Sequence, residues 1–369
     1  MKQILALVLV FLLIPCAFAE SENSPTILVD GLRVRSIKPI SENRLLIAGW
    51  IGKVGDTTPA LRICSLNGEI LYEMCAKDEG GTTEYFSDAE YIDEHRILTL
   101  QSVPNEYLWT ISAYMDGERI GQSAPMENAY RMYGLGDTFI VTSKQLEDIA
   151  YDEQVEIRCF DLNGQQKWEK IIPEPLIFNG ILTGKNYHIA YGISQDQEDD
   201  MGTPWYSFMF AFNDDGEILW ELEPLLFTNI IDVAWADDGK VAMIARENLP
   251  LDLLYSQKEA QIFALIQDGQ IVLRNDDYTD YSAMIDGVSY PVYGSMLSIL
   301  PAGDGYLIAC AADYQDGIEM RYVDREGNFI NTWVENTGGL NSFFLCDLYE
   351  ISNQYFFIAG SMQSDQLLI

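Results

Sequence analysis

Three features of the sequence predict an all-β chain built from a repeated four-stranded antiparallel unit. Asn-Gly and Asp-Gly turns recur between alternating apolar residues, intensely apolar strands follow a second set of polar turns, and no stretch carries sustained 3.6-residue periodicity with helix caps. At 369 residues, 48% hydrophobic and 12% aromatic, the chain can bury a large core and does not read as disordered.

The first recurring unit is a strand, a glycine turn and a second strand. It runs Arg62-Ile-Cys-Ser-Leu-Asn-Gly68-Glu-Ile-Leu-Tyr72, Ala113-Tyr-Met-Asp-Gly117, Cys159-Phe-Asp-Leu-Asn-Gly164-Gln-Gln-Lys-Trp168, Phe210-Ala-Phe-Asn-Asp-Asp-Gly216-Glu-Ile-Leu-Trp220, Ala264-Leu-Ile-Gln-Asp-Gly269 and Tyr322-Val-Asp-Arg-Glu-Gly327. Tight hairpin turns need residues that tolerate positive φ, so each unit reads as a β-hairpin. The second unit begins at polar turns such as Ser41-Glu-Asn-Arg44, Asp93-Glu-His-Arg96 and Gly134-Leu-Gly-Asp137, and continues in strands that start at Leu45, Ile97, Phe139, Tyr187, Val241, Tyr306 and Tyr355.

Alternating along the chain, the two hairpins make a four-stranded unit that recurs about every 50 residues. Residues 20–369 hold seven such units. Sheets of that size arranged radially bury each face against a neighbour and leave only short edges, so the expected fold class is all-β, a seven-bladed β-propeller of four-stranded antiparallel blades. Gln366 to Ile369 ends where a third strand begins, while Thr26-Ile-Leu-Val-Asp-Gly31 repeats the hairpin signal near the other terminus. The N-terminal strand is therefore expected to close the last blade, with Ile27–Val29 and Gln366–Ile369 as rivals for its third place.

Asp161-x-x-Gly164-x-x-x-Trp168 and Asn213-x-x-Gly216-x-x-x-Trp220 resemble the repeat signature of PQQ-like propellers, with Tyr72 at the Trp place after Gly68. In that family the Trp packs between neighbouring blades. Gly117, Gly269 and Gly327 have no aromatic at that spacing. The resemblance invites a quinone-dependent dehydrogenase, but this chain lacks the vicinal cysteine pair of those enzymes. It looks more like the family members that serve as scaffolds for protein contact, and no cofactor is expected.

The N terminus has Lys2, an apolar run from Ile4 to Ile14 and a small-residue site at Ala17-Phe18-Ala19, the layout of a secretory signal. Residues 1–19 are read as a signal peptide and 20–369 as a single propeller domain of a secreted, monomeric protein with no transmembrane segment. A competing reading is lipidation at Cys16, because Leu13-Ile14-Pro15-Cys16 resembles a bacterial lipobox, although proline precedes the cysteine. Cys64, Cys75, Cys159, Cys310 and Cys346 remain after cleavage, an odd number without a disulfide framework. Cys159 and Cys310 fall in apolar strands and read as small buried hydrophobes, and only a Cys64–Cys75 bridge across one hairpin is worth testing.

With 57 Asp or Glu against 22 Lys or Arg, the formal charge is −35. A protein that binds nucleic acid must neutralise phosphates with clustered cations, so that class is excluded. Only His95 and His188 are present, one in a polar turn and one in an apolar strand, and they read as a turn residue and a core residue. A three-histidine metal site is impossible, and no metal is expected. Asp196–Asp200 and Asp276-Asp277-x-x-Asp280 lack the spacing of a dedicated calcium loop and read as solvated acids.

Antiparallel connectivity puts the tight turns on one face and the longer connections on the other. Insertions at 144–154, 194–205, 246–259 and 275–294 concentrate on the second face, where binding usually resides. Their aromatics, Trp205, Tyr206, Tyr255, Tyr278, Tyr281, Tyr290 and Tyr293, are the candidate binding residues, since Tyr and Trp give large contact area with a polar tip. The expected function is a non-catalytic scaffold for a protein or glycan partner. The alternative is a polysaccharide-acting hydrolase or lyase that uses carboxylates at the channel mouth.

Overall fold

The computed structural model describes residues 26–28, 31–41, 43–53, 56–76, 85–103, 108–127, 129–143, 155–172, 176–195, 205–226, 228–236, 239–248, 259–276, 282–285, 288–291, 295–311, 317–336, 345–351, 354–360 and 366–368. Among them there is no α-helix, and the strands form antiparallel sheets that follow the chain.

After the short β1 (Thr26–Leu28), β2 (Leu32–Ser41), β3 (Arg44–Lys53), β4 (Asp56–Ser65) and β5 (Ile70–Cys75) pair in that spatial order. The next sheet holds β6 (Phe86–Tyr91), β7 (Arg96–Val103) and β8 (Leu108–Met115), with β9 (Glu118–Gln122) and β10 (Met126–Glu127) both on β8. β11 (Ala129–Gly134), β12 (Thr138–Ser143), β13 (Val155–Asp161) and β14 (Gln166–Ile172) follow. β15 (Leu176–Leu182), β16 (His188–Gln195) and β17 (Trp205–Phe212) come next, with β18 (Ile218–Glu221) and β19 (Leu225–Leu226) both on β17.

The chain goes on through β20 (Thr228–Trp235), β21 (Val241–Asn248), β22 (Glu259–Gln267) and β23 (Gln270–Asn275). A separate hairpin of β24 (Ser282–Ile285) and β25 (Val288–Pro291) precedes β26 (Ser295–Ala302), β27 (Gly305–Ala311), β28 (Gly317–Asp324) and β29 (Phe329–Asn336). Finally β30 (Leu345–Ile351), β31 (Gln354–Gly360) and β32 (Gln366–Leu368) pair in order. β1 lies against β32, Ile27 opposite Leu367. The two terminal segments thus take successive places instead of competing for one.

The core sits between consecutive sheets. In β21, Val241 and Met243 pack with Ile189 and Met209 of the preceding sheet, whereas Ala242 and Ile244 pack with Met296 and Ile308 of the following one. A strand covered on both faces has no solvent side, which is why it reads as an uninterrupted apolar run. Each fully buried aliphatic side chain contributes about 1.5–3 kcal/mol. The last sheet also reaches the first, through Tyr349 packed beside Leu32, Ile37 and Leu45, with its hydroxyl donating to the Ile37 carbonyl at 3.2 Å.

Local chemistry explains the turns that repeat. The Asp161 carboxylate accepts from the N–H groups of Asn163 and Gln165, both at 2.9 Å, and Asn213 and Asp324 do the same in their own loops. Each loop satisfies its own donors, and a left-handed glycine, Gly164, Gly216 or Gly327, completes it. Asp116-Gly117 and Asp268-Gly269 carry positive φ at both positions, the tighter turn that matches strand twist.

The aromatic after the turn reaches the next sheet. Trp168 Nε1 donates to the Asp214 carbonyl at 2.7 Å, and a Cβ on Gly216 would come within 3.0 Å of the Trp168 ring. Trp220 stands likewise over Gly269, and the Tyr72 hydroxyl over Gly117. Cys64 and Cys75 do not bridge. Cys64 lies opposite Ile70 and Cys75 opposite Ala60, four residues along the same strand, or about 13 Å, beyond the reach of a disulfide. Both keep their thiols, as do the buried Cys159 and Cys310.

Candidate functional site

Strand limits show that the two ends of the sheets differ. Turns at 42–43, 116–117, 268–269 and 303–304 are short, whereas 144–154, 196–204 and 249–258 connect second to third strands at the other end. The connection after β23 is long enough to hold the β24–β25 hairpin, which the sequence reading took for part of a plain link. These connections gather at the end where β2, β6 and the other inner strands begin.

The predicted binding aromatics divide. Trp205 and Tyr206 are the first two residues of β17, opposite Gln195 and Ser194, so they extend the ladder and do not belong to a loop. Pairing to β16 continues to the strand ends, because each further rung satisfies two more backbone groups. Tyr206 is half-buried and also lies opposite Leu226. Tyr290 is in β25, opposite Ala283. Tyr255, Tyr278, Tyr281 and Tyr293 lie outside the described residues, as do Asp196–Asp200, Asp277 and Asp280. Asp276 is engaged locally, accepting from Arg274 Nε at 2.8 Å while the same guanidinium reaches Glu247 at 2.7 Å.

A cation between two aromatic rings stands at the same end. The Arg35 guanidinium lies 5.1 Å from the Trp50 centroid and 4.9 Å from that of Tyr85, and the rings themselves are 5.7 Å apart. Beside them, Trp109 Nε1 donates to Ser87 at 3.0 Å. Sequence reasoning missed this group because its members come from two sheets. Tyr85 directly precedes β6 at the end of a long connection, which is the one signal the group leaves, whereas Trp50 lies inside β3 opposite Arg33 and Pro59.

Deeper in the same inner strands lies a polar cluster. β-Bulges fall at Arg35 in β2, Ser87 in β6, the residue before Arg131 in β11, and at Asn179, Ile231 and Leu297 in β15, β20 and β26. Immediately after the bulge in β6, Asp88 accepts from Ser36 of the preceding sheet and from the Met132 N–H of the following one, the latter at 2.8 Å. Lys38 bridges the same three sheets, reaching Asp88 at 3.0 Å, Glu90 at 2.6 Å and the Met132 carbonyl at 2.8 Å.

Burial pulls the Lys38 ammonium down, but Asp88 and Glu90 outweigh it and hold it above its ordinary value. Burial raises Glu90 in spite of Lys38. Asp232 repeats the arrangement, accepting from Tyr191, Ser298 and the Ile299 N–H, each at 2.9 Å. Ser298 in turn accepts from the Leu348 N–H at 3.2 Å. These carboxylates are committed to donors of neighbouring sheets, and what they do chemically is hold those sheets together.

The histidines are turn and core residues. His188, 2% exposed, accepts from the Gly184 N–H and donates to Asp214 at 2.8 Å. His95 is exposed and pairs with Asp116, whose hydrogen bond raises its pKa. Among the described residues no group of three or more His, Cys, Asp or Glu is placed to hold a metal ion, and no helix is long and apolar enough to cross a membrane.

No family model and no curated protein matches the sequence. Solved structures do resemble it over nearly its whole length. Hydrazine synthase of Kuenenia stuttgartiensis superimposes with a TM-score of 0.57 at 10% identity, covering 92% of this chain and 95% of that one. Sqt1 from Chaetomium thermophilum gives 0.52 at 9% identity, covering 94% and 98%. The β-propeller domain of the trilobed protease from Pyrococcus furiosus gives 0.52 at 10% identity, covering 91% and 93%. At such identities the likeness is one of fold, and with the repeated four-stranded sheets it identifies this chain as a β-propeller.

Proposed function

We propose that this chain is a secreted, non-catalytic propeller that presents the face of its long connections to a protein or glycan partner. Its sheets are the seven blades of one ring, with β1 as the outer strand of the last blade, and its repeat is of the PQQ-like kind. The pairing of β1 with β32, the reach of Tyr349 to Ile37 and the packing of Trp168 on Gly216 support that reading. The mature chain is one domain and a monomer.

The observation that carries the proposal is the asymmetry of the connections. One end is closed by short turns, of which those at Asp161, Asn213 and Asp324 satisfy donors of their own loops. The other collects every long segment, with Trp205, Tyr206 and the Trp50–Arg35–Tyr85 stack at its base. Rigid blades under variable loops are a common basis for recognition. Sqt1 has also been solved bound to the N terminus of the ribosomal protein L10, an instance of a propeller of this shape engaging a protein segment.

Combined replacement of Trp205, Tyr278 and Tyr281 by alanine tests the face. The triple variant is expected to lose the partners that wild type captures from the surrounding medium while it keeps its β-sheet circular dichroism. Unchanged capture would refute the assignment. Secretion is tested by the intact mass of the mature protein, expected to begin at Glu20. A chain that begins at a diacylated Cys16 would make it a lipoprotein instead.

A further inference from the structure

The β2–β5 and β6–β10 sheets meet through a different kind of layer from the β20–β23 and β26–β29 sheets. Ile97 and Tyr114 pack with Leu46, Ala48 and Leu61 of the preceding sheet, so alternation turns Thr99 of β7 and Ser112 of β8 towards the same neighbours. The two stand opposite each other across the ladder, as do Gln101 and Thr110 beside them. Thr99 and Ser112 are both 0% exposed, and among the described residues Thr99 Oγ1 and Ser112 Oγ meet no hydrogen-bond partner. Thr110 adds a third buried hydroxyl, which accepts from Gln122 Nε2 at 3.0 Å.

Counting from the bulge of each inner strand matches the two layers residue by residue. Ala48 lies opposite Ser36 as Ile244 lies opposite Asp232, and their partners on the third strands are Leu61 and Phe263. On the facing sheets, Thr99, Ser112 and Thr110 stand where Ile308, Arg321 and Glu319 stand. Arg321 fills its layer at 0% exposure, donating to Glu319 at 2.8 Å and to Gln261 of the β20–β23 sheet at 2.9 Å. Each of these exchanges is to a smaller side chain, and only the neighbouring Gln101, in place of Cys310, is larger. Where an arginine bridges one pair of sheets, the other pair offers hydroxyls and room.

We propose that the β2–β5 and β6–β10 sheets hold a site for ordered water, bound by Thr99 Oγ1 and Ser112 Oγ, in the place that the Arg321 side chain takes in the other layer. A buried hydroxyl without a partner is costly, and protein interiors satisfy such groups with water that makes about three hydrogen bonds. Three hydroxyls around one small space supply them. Trp50 follows Ala48 on the same face of β3, so this water lies beneath the Trp50–Arg35–Tyr85 stack at the long-connection end.

The sign of a substitution separates a wet layer from a dry one. Thr99→Val keeps the shape and removes the hydroxyl, which relieves a bare group but deprives a bound water of its partner. Urea titration of the full chain is expected to show the folding constant of Thr99→Val, and of Ser112→Ala, reduced roughly threefold or more. A smaller reduction, or a gain, would overturn the proposal. A high-resolution crystal structure of wild type tests the same point without a variant. Density for water within hydrogen-bond distance of both Thr99 Oγ1 and Ser112 Oγ is expected, and a dry layer, or hydroxyls bonded to protein groups instead, would equally overturn it.

Discussion

Lys38→Met should destabilise the protein by about 3–5 kcal/mol at neutral pH, the range seen when one partner of a buried ion pair is removed. The ammonium reaches both Asp88, whose side chain is 3% exposed, and Glu90, and it also donates to the Met132 carbonyl. Methionine fills the space but leaves two carboxylates facing each other in the interior. The pH dependence follows from the raised pKa of Lys38. A group that binds its proton more tightly when folded stabilises the fold in full below its unfolded value of 10.5 and loses that contribution as pH rises through the folded value. Urea titrations of wild type and variant should therefore differ by a constant amount up to about pH 10 and converge above 10.5. A difference that stays unchanged at high pH would show that Lys38 acts by packing alone.

Gly49→Ala should cost about 3 kcal/mol or more, at the upper end for overpacking, because the atoms in the way belong to the backbone. A Cβ there would stand 1.9 Å from the Arg33 carbonyl oxygen and 2.9 Å from its carbon. No rotamer relieves that contact, so β2 and β3 must part beside the bulge at Arg35. A melting temperature lower by roughly 4 °C or more is expected. Gly136→Ala is the informative control. Its φ of +81° strains any other residue, yet a Cβ there meets nothing within 4 Å, so it should cost only about 1 kcal/mol. Equal melting temperatures for the two variants would show that β2 and β3 separate without cost.

What could be read from the sequence is what the chain satisfies locally. Asp161, Asn213 and Asp324 bond to N–H groups of their own loops, so the turn leaves a short motif wherever it occurs. The doubly apolar strands were legible for a related reason, since Val241 to Ile244 lies between two sheets and no polar position interrupts it. Pairing across sheets left no such trace. Lys38 and Asp88 are 50 residues apart, and a lysine before Pro39 reads as an ordinary surface residue. Trp205 and Tyr206 were misread as loop because only their register with Gln195 and Ser194 shows that the strand reaches them. Arg35, Trp50 and Tyr85 looked unrelated until folding stacked them.

The contact between β1 and β32 bears on how the molecule is made. Every other four-stranded sheet is assembled from one continuous stretch of chain and can form as soon as that stretch is available. The sheet that joins Thr26 to Leu368 cannot, because β1 is separated from β32 by all the other sheets. Its formation has to await the synthesis of β32, and closure over so large a sequence separation is intrinsically slow. Until then β1 remains an unpaired edge, so the last step of folding is also the period in which the chain is most exposed to misassembly.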